Sequence, residues 1–174
     1  LVLLEFRGQS PQETLFGSVV SAAGDVNGDG HDDVIIGSPN PEFFTPIFGS
    51  AYVFSGADGL LLHRFTESAV NGGFGTAVCG VGDIDGDGLD DVAVGAPKAS
   101  FLRGIVRVYS GADGSVLRTF LGVAGEELGA SVSTVGDLDD DGTPDVLIGS
   151  PDGIGGSCQS CVRVFSGFNG APLL

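Results

Sequence analysis

The chain has 174 residues, enough to bury one sizeable core, and its 31 glycines with neither Met nor Trp suit a turn-rich β protein. Seven basic residues stand against 23 acidic ones for a formal net charge of −16, which excludes the basic stripe a nucleic-acid binder needs. No apolar run approaches the roughly 20 residues of a membrane-spanning helix. No signal-peptide pattern opens the chain either, which says little, because the first residues read as the middle of a repeat.

In chain order, Leu1 to Phe6 aligns with the later segments Leu60 to Phe65 and Ser115 to Phe120, so it reads as an outer strand with no unit of its own. Phe16-Gly17 follows, then a strand A over Val19 to Ala22. Next comes the acidic stretch Asp25-Val26-Asn27-Gly28-Asp29-Gly30-His31-Asp32-Asp33. A short β-branched strand B (Val34 to Gly37) leads into Gly37-Ser38-Pro39, and strand C near Ala51 to Phe54 ends at Ser55-Gly56-Ala57-Asp58-Gly59. A strand D over Leu60 to Phe65 completes the unit. The Asp-Gly pair marks a hairpin turn between C and D.

The same order recurs twice at a period of roughly 55 residues, the range of propeller blades and solenoid units. The second copy carries Phe74-Gly75, Asp83 to Asp91, Gly95-Ala96-Pro97 and Val108-Tyr109-Ser110-Gly111-Ala112-Asp113-Gly114. The third carries Leu128-Gly129, Asp137 to Asp145, Gly149-Ser150-Pro151 and Val164-Phe165-Ser166-Gly167-Phe168-Asn169-Gly170. Four short antiparallel strands per period predict an all-β chain of three four-stranded, propeller-type blades. The expected organisation is a single repeat domain over 1–174, with blades at 7–65, 66–120 and 121–174.

Each acidic stretch reads D-x-[DN]-x-D-G-x-x-D. Side-chain oxygens at positions 1, 3, 5 and 9, with a glycine at 6 for the turn, can converge on one hard cation, and calcium takes six to eight such oxygens. Plain Asx-turns would also use Asp, Asn and Gly. Three copies with the same donors in the same slots tell against that reading, because unliganded loops of this charge repel themselves. An EF-hand is excluded: its twelfth position needs a bidentate Glu, and that slot holds Ile36, Val94 and Ile148 in the following strands. The nonapeptide calcium roll is excluded by the longer period.

Phe-Gly, the acidic loop and Gly-Ala-Pro in that order resemble the FG-GAP repeat, the blade unit of the integrin α-subunit propeller and of many secreted bacterial proteins. The resemblance covers nearly the whole chain. It implies that the acidic loop joins strands A and B, binds Ca²⁺ and adds the backbone carbonyl of position 7. Carried onto these residues, the first site would use Asp25, Asn27, Asp29, the His31 carbonyl and Asp33. The second would use Asp83, Asp85, Asp87, the Leu89 carbonyl and Asp91, and the third Asp137, Asp139, Asp141, the Thr143 carbonyl and Asp145. Asn27 leaves the first loop one charge short, so it is expected to be the weakest of three calcium sites. More than half of the chain's acidic residues lie in these loops, so its acidity is mostly metal site. Weak modules of this kind work at millimolar calcium, which places the chain outside the cell, secreted or at the cell surface.

Cysteine usage fits that compartment. Cys158 and Cys161 lie between the third B and C strands and favour a local disulfide over a zinc knuckle, for which a second ligand pair is missing. Cys79 aligns with Ser21 and Ser133 on strand A and reads as an inert buried thiol.

No enzyme is expected. His31 and His63 have no matched nucleophile, and Glu126-Glu127 reads as a solvated turn before Leu128. Closed rings need four to eight blades, and three leave open flanks. The expectation is therefore a structural role in a self-associating assembly or filament, with residues 1–6 of one chain supplying the outer strand of the third blade of another. The alternative is a fragment of a seven-bladed, integrin-like propeller binding a protein or carbohydrate ligand in adhesion. The aromatic cluster Phe43-Phe44-Thr45-Pro46-Ile47-Phe48 in the first B–C loop would suit such recognition, although packing on its own blade is the simpler use.

Overall fold

The computed structural model describes residues 4–9, 15–39, 49–67, 72–151 and 160–173. Eleven strands form three antiparallel sheets. The first runs β1 (Val19–Gly24), β2 (Asp33–Ser38), β3 (Ser50–Phe54), β4 (Leu61–Thr66), and the second β5 (Ala77–Gly82), β6 (Asp91–Ala96), β7 (Ile105–Tyr109), β8 (Val116–Leu121). The third has three strands, β9 (Ser131–Gly136), β10 (Asp145–Ser150) and β11 (Cys161–Phe165). In each sheet the strands follow chain order by hairpins, and β1, β5 and β9 lie side by side as the inner strands. These are propeller-type blades, as the period predicts. After β11 the described residues of the third blade add a Phe165–Pro172 bridge and a Leu173 N–H donated to the Val164 carbonyl at 2.8 Å.

The middle strands of blade 2 are buried on both faces because that blade lies between the other two; the far face of blade 1 is covered by Phe6 and Phe16, and that of blade 3 leaves Val162 exposed. One core joins blades 1 and 2 through Ile35, Val53 and Phe65 on one side and Val92, Val94 and Tyr109 on the other. The next joins blades 2 and 3 through Val81, Ile84, Val106, Val108 and Phe120 against Val146, Ile148 and Phe165. A phenylalanine from each outer strand seals the seam: Phe65 stacks on Tyr109 with ring centroids 4.1 Å apart, and Phe120 meets Phe165 tilted at 4.7 Å. Such pairs add about 0.5–1.5 kcal/mol beyond their burial.

The glycines of the two sequence motifs meet at these seams. Gly75 donates its N–H to Gly95 within its own blade, at 3.0 Å, while its carbonyl backs onto Gly37 of the preceding blade. A Cβ at Gly37 would lie 2.2 Å from that carbonyl, and one at Gly95 2.2 Å from the Gly129 carbonyl. Backbone must touch backbone there, so no side chain fits.

Residues 4–6 pack on the first blade of their own chain. Phe6 lies 5.0 Å from Phe54, the place that Phe65 takes against Tyr109 in the next seam. Residues 1–3 of the expected donor strand lie outside the described residues, as does the Phe43–Phe48 cluster. One expectation is corrected. Glu126 is not a solvated turn residue but is buried, accepting from the Val123 N–H at 2.7 Å and pairing with Arg163 of β11. Turn-like sequence hid it, because its cationic partner stands far along the chain.

Candidate metal centres

Each acidic loop leaves the inner strand at a one-residue bulge, at Ala22/Gly24, Gly80/Gly82 and opposite Asp145/Val146. The glycine closing it has φ of +78°, +79° and +72°, a left-handed conformation that glycine adopts without penalty. The first loop residue then gathers the loop's own N–H groups. Asp25 Oδ1 accepts from Gly28 and Asp29 at 2.8 and 3.0 Å, and its Oδ2 from Gly30 at 2.9 Å. Asp83 repeats this with Gly86, Asp87 and Gly88 at 2.7, 3.1 and 2.9 Å. Asp137 does so with Asp141 and Gly142 at 3.0 and 2.8 Å. The third loop departs at position 4, where Asp140 instead of glycine sits at φ +59°.

Position 5 turns back on position 7: the His31, Leu89 and Thr143 N–H groups reach Asp29, Asp87 and Asp141 Oδ1 at 2.9, 2.8 and 2.9 Å. Position 9 is the buried member. Asp33, Asp91 and Asp145 each accept from the position-2 N–H (Val26, Ile84, Leu138) at 2.9, 2.8 and 2.7 Å. Their second oxygen accepts from the glycine of the Ser-Gly turn after strand C (Gly56, Gly111, Gly167) at 3.0, 2.9 and 3.1 Å.

Two loops bring three carboxylates together. Asp83, Asp85 and Asp91, and likewise Asp137, Asp139 and Asp145, each offer an oxygen within 4.8 Å of the others. Asp87 and Asp141 stand outside those groups, held by the N–H of position 7. The first loop forms no such group among the described residues, since an amide replaces one acid and Asn27 Nδ2 donates to Asp29 Oδ2 at 3.0 Å. His31, Leu89 and Thr143 add no carboxylate to these groups.

Burial and neighbouring like charge act on single members of these loops. Burial pushes the Asp91 carboxyl up to about 6, and the Asp85 and Asp83 charges push the same way against the two N–H bonds. Asp33 is raised chiefly by burial, with Asp29 and Asp25 adding to it. Asp139 is raised by desolvation and then by Asp141 and Asp145. Asp29 is lowered, first by the bond from Asn27. An all-oxygen set around a buried carboxylate fits a hard divalent ion and offers no soft donor for zinc or copper.

Sequence reasoning missed three contributors. The Ser55 and Ser166 hydroxyls donate to Asp29 and Asp141 Oδ2 at 3.4 and 3.2 Å, tying the Ser-Gly turn to position 5. Asp90, at position 8 of the second loop, reaches the first loop instead of its own: its Oδ2 accepts from the Asp25 N–H at 2.9 Å. The motif leaves position 8 free, so only an adjacent-blade contact could have revealed it.

Outside the loops, Cys79 is free and buried, its thiol pushed up to about 12 by burial. Cys161 is disulfide-bonded, and Cys158 lies outside the described residues. No helix among the described residues is long and apolar enough to cross a membrane.

Comparison with known proteins agrees with this architecture. The FG-GAP repeat model matches residues 16–54, 74–116 and 128–160. Among curated proteins, the chain is 37% identical over 153 residues to integrin alpha-3 of Cricetulus griseus, covering 78% of this chain and 14% of that protein. It is 33% identical over 163 residues to integrin alpha-4 of Xenopus laevis, covering 86% and 16%, and 33% identical over 168 residues to integrin alpha-IIb of Homo sapiens, covering 85% and 16%. The chain thus spans about a sixth or less of the length of these relatives. With three matched repeats whose glycines meet at the blade seams, the chain belongs to the FG-GAP repeat family.

Proposed function

We propose that the chain is an extracellular, calcium-binding blade module of an integrin-like propeller, acting in adhesion by presenting a surface to a protein ligand. The carrying observation is the donor sets: two three-carboxylate groups, each with a buried aspartate. In this reading each loop takes one Ca²⁺ through positions 1, 3, 5 and 9 and the carbonyl of position 7. That is Asp25, Asn27, Asp29, His31 and Asp33 in the first loop, Asp83, Asp85, Asp87, Leu89 and Asp91 in the second, and Asp137, Asp139, Asp141, Thr143 and Asp145 in the third. The ion neutralises carboxylates that otherwise repel, and in doing so fixes the strand A to strand B corner. Cys158 pairs with Cys161 in the same reading, as suits an oxidising compartment.

Similarity to integrin α subunits along most of the chain favours the receptor-type ring over a self-associating assembly. The geometry of the flanks supports it. Val135, Leu138 and Val162 of blade 3 are exposed, while their counterparts Val81, Ile84 and Val106 of blade 2 are buried against the next blade. Phe6 occupies the seam position of a preceding outer strand. A ligand-facing role is supported by Phe101, which is 97% exposed on a left-handed turn (Ser100 to Leu102, φ +54° to +62°) between β6 and β7. Non-glycine residues in that conformation are uncommon and concentrate at functional sites.

Calorimetric titration with calcium tests the metal reading. Dissociation constants of about 10⁻⁴ to 10⁻³ M are expected, as for extracellular modules, with a rise in melting temperature. No heat and no thermal shift at 10-fold higher calcium would refute it.

A further inference from the structure

The first and second acidic loops are joined by a contact that the second and third lack. Asp90 donates its N–H to the Asp25 carbonyl at 3.1 Å, and its Oδ2 accepts from the Asp25 N–H at 2.9 Å. Two reciprocal bonds thus hold the residue that opens the first loop. Gly24 makes room for them: a Cβ there would fall 2.1 Å from Asp90 Oδ2. The next residue, Val26, is fully buried and lies against Gly111, whose N–H is held by Asp91 Oδ1. Residues 24–26 therefore rest on the stretch of blade 2 that carries Leu89 and Asp91.

At the following seam, position 8 is Pro144, with no N–H and no carboxylate. What meets Gly82 there is the proline ring, 2.9 Å from where a Cβ would stand. At position 8 of the first loop, Asp32 is exposed.

Resting on the calcium reading above, we propose that Asp90 couples the first two calcium loops, so that filling the second raises the affinity of the first, while the third fills independently. An ion in the second loop would draw on the Leu89 carbonyl and so fix the Leu89–Asp90 peptide that carries the Asp90 N–H, holding the opening residue of the first loop in place. The ordering cost is then met once for two ions, which is positive coupling. Two cations in adjacent loops repel, and the Asp90 carboxylate held at the seam offsets that repulsion. Asn27 leaves the first loop short of charge, so it is the loop that benefits most from being pre-ordered.

The test follows the position-6 amides of Gly30, Gly88 and Gly142 by NMR during calcium titration of the whole chain, one reporter per loop. Asp85→Asn removes an exposed carboxylate and weakens the second loop without touching the seam. The expected result is about a fivefold loss of affinity at Gly30 with Gly142 unchanged, the low end of common coupling strengths. In an Asp90→Ala background the same substitution should leave Gly30 unaffected, whereas in Asp90→Asn, which keeps both bonds, most of the effect should remain. If Gly30 titrates identically with and without Asp85→Asn, or Gly30 and Gly142 weaken equally, the coupling is wrong while calcium binding stands. If none of the three amides responds to calcium, the calcium reading falls and the coupling with it.

Discussion

Calcium binding at the second loop should fail on mild acidification, and Asp91 sets where. Its carboxyl is buried beside Asp83 and Asp85 and titrates near 6 in the metal-free protein, about two units above an unperturbed aspartate. Calcium requires the ionised form. Below pH 6 the ion must displace a proton, so affinity falls by about a factor of ten at pH 5 and hardly at all at pH 7. The metal-free protein has the opposite trend. A carboxyl whose folded pKa is raised contributes stability that is full below its unfolded pKa of about 3.9 and is lost as pH rises through about 6. Two units amount to roughly 3 kcal/mol. Acid thus favours the empty fold at this site and neutral pH the loaded one. Calorimetry in two buffers of different ionisation enthalpy should show release of about three-quarters of a proton per ion at pH 5.5 and almost none at pH 7.5. The Gly88 amide assigns the event to this loop, and Asp91→Asn should remove the release there. An affinity at Gly88 that stays flat from pH 7.5 to 5, with no buffer dependence, would refute the reasoning.

Gly111→Ala would place a methyl 2.2 Å from the Asp90 carbonyl and should cost about 3 kcal/mol in urea unfolding, as overpacking against backbone does. Gly86→Ala, at φ +79° with open space around it, should cost only about 1 kcal/mol from backbone strain, and equal losses would undo the distinction. Arg163→Ala strands the buried Glu126 carboxylate and should destabilise by about 3–5 kcal/mol. Arg7→Ala, in an exposed pair with Glu5, should stay under about 1 kcal/mol in the same assay. Cys79, its thiol pushed up to about 12, is ionised to about one part in ten thousand at pH 8. It should escape iodoacetamide until the chain unfolds, and rapid labelling of the native protein would show that the inner strand opens.

The blade pattern was legible because it is local. β-branched runs bounded by Gly-Ser-Pro and Asp-Gly fix strand and turn within a few residues, and β2, β6 and β10 fall where those runs stand. The loop chemistry was equally local, since positions 1, 5 and 6 bond to one another inside nine residues. What joins residues far apart along the chain was not legible. Glu126 reads as polar turn until β11 brings Arg163 over it, and Asp90 reads as a spare acid until Asp25 of the neighbouring blade closes on it. Arg163 stands on a distant strand of the same repeat and Asp25 in the neighbouring blade, so neither contact is local, although the acid–arginine pair recurs one repeat earlier as Glu67 with Arg107. His63 is similar: a histidine without a nucleophile by sequence, it is placed 2.6 Å from the Gly111 carbonyl, where Arg118 performs the same service for Gly167 at the next seam.

The doubled use of position 9 explains why two separate sequence motifs share one period. Asp33, Asp91 and Asp145 spend one oxygen on the loop's second N–H and the other on the glycine of the Ser-Gly turn, twenty or more residues onward. Where the serine hydroxyl also reaches position 5, as Ser55 and Ser166 do, the turn grips the loop twice. The acidic loop and the turn are therefore one structural unit interrupted by strands B and C, and its buried carboxylate is already tied to backbone before any ion arrives. Binding at such a loop has little backbone left to order at position 9 and more at positions 3 and 5. On this ground, substitutions at Asp85 or Asp139 should act on the metal alone, while substitutions at Asp91 or Asp145 act on the blade as well.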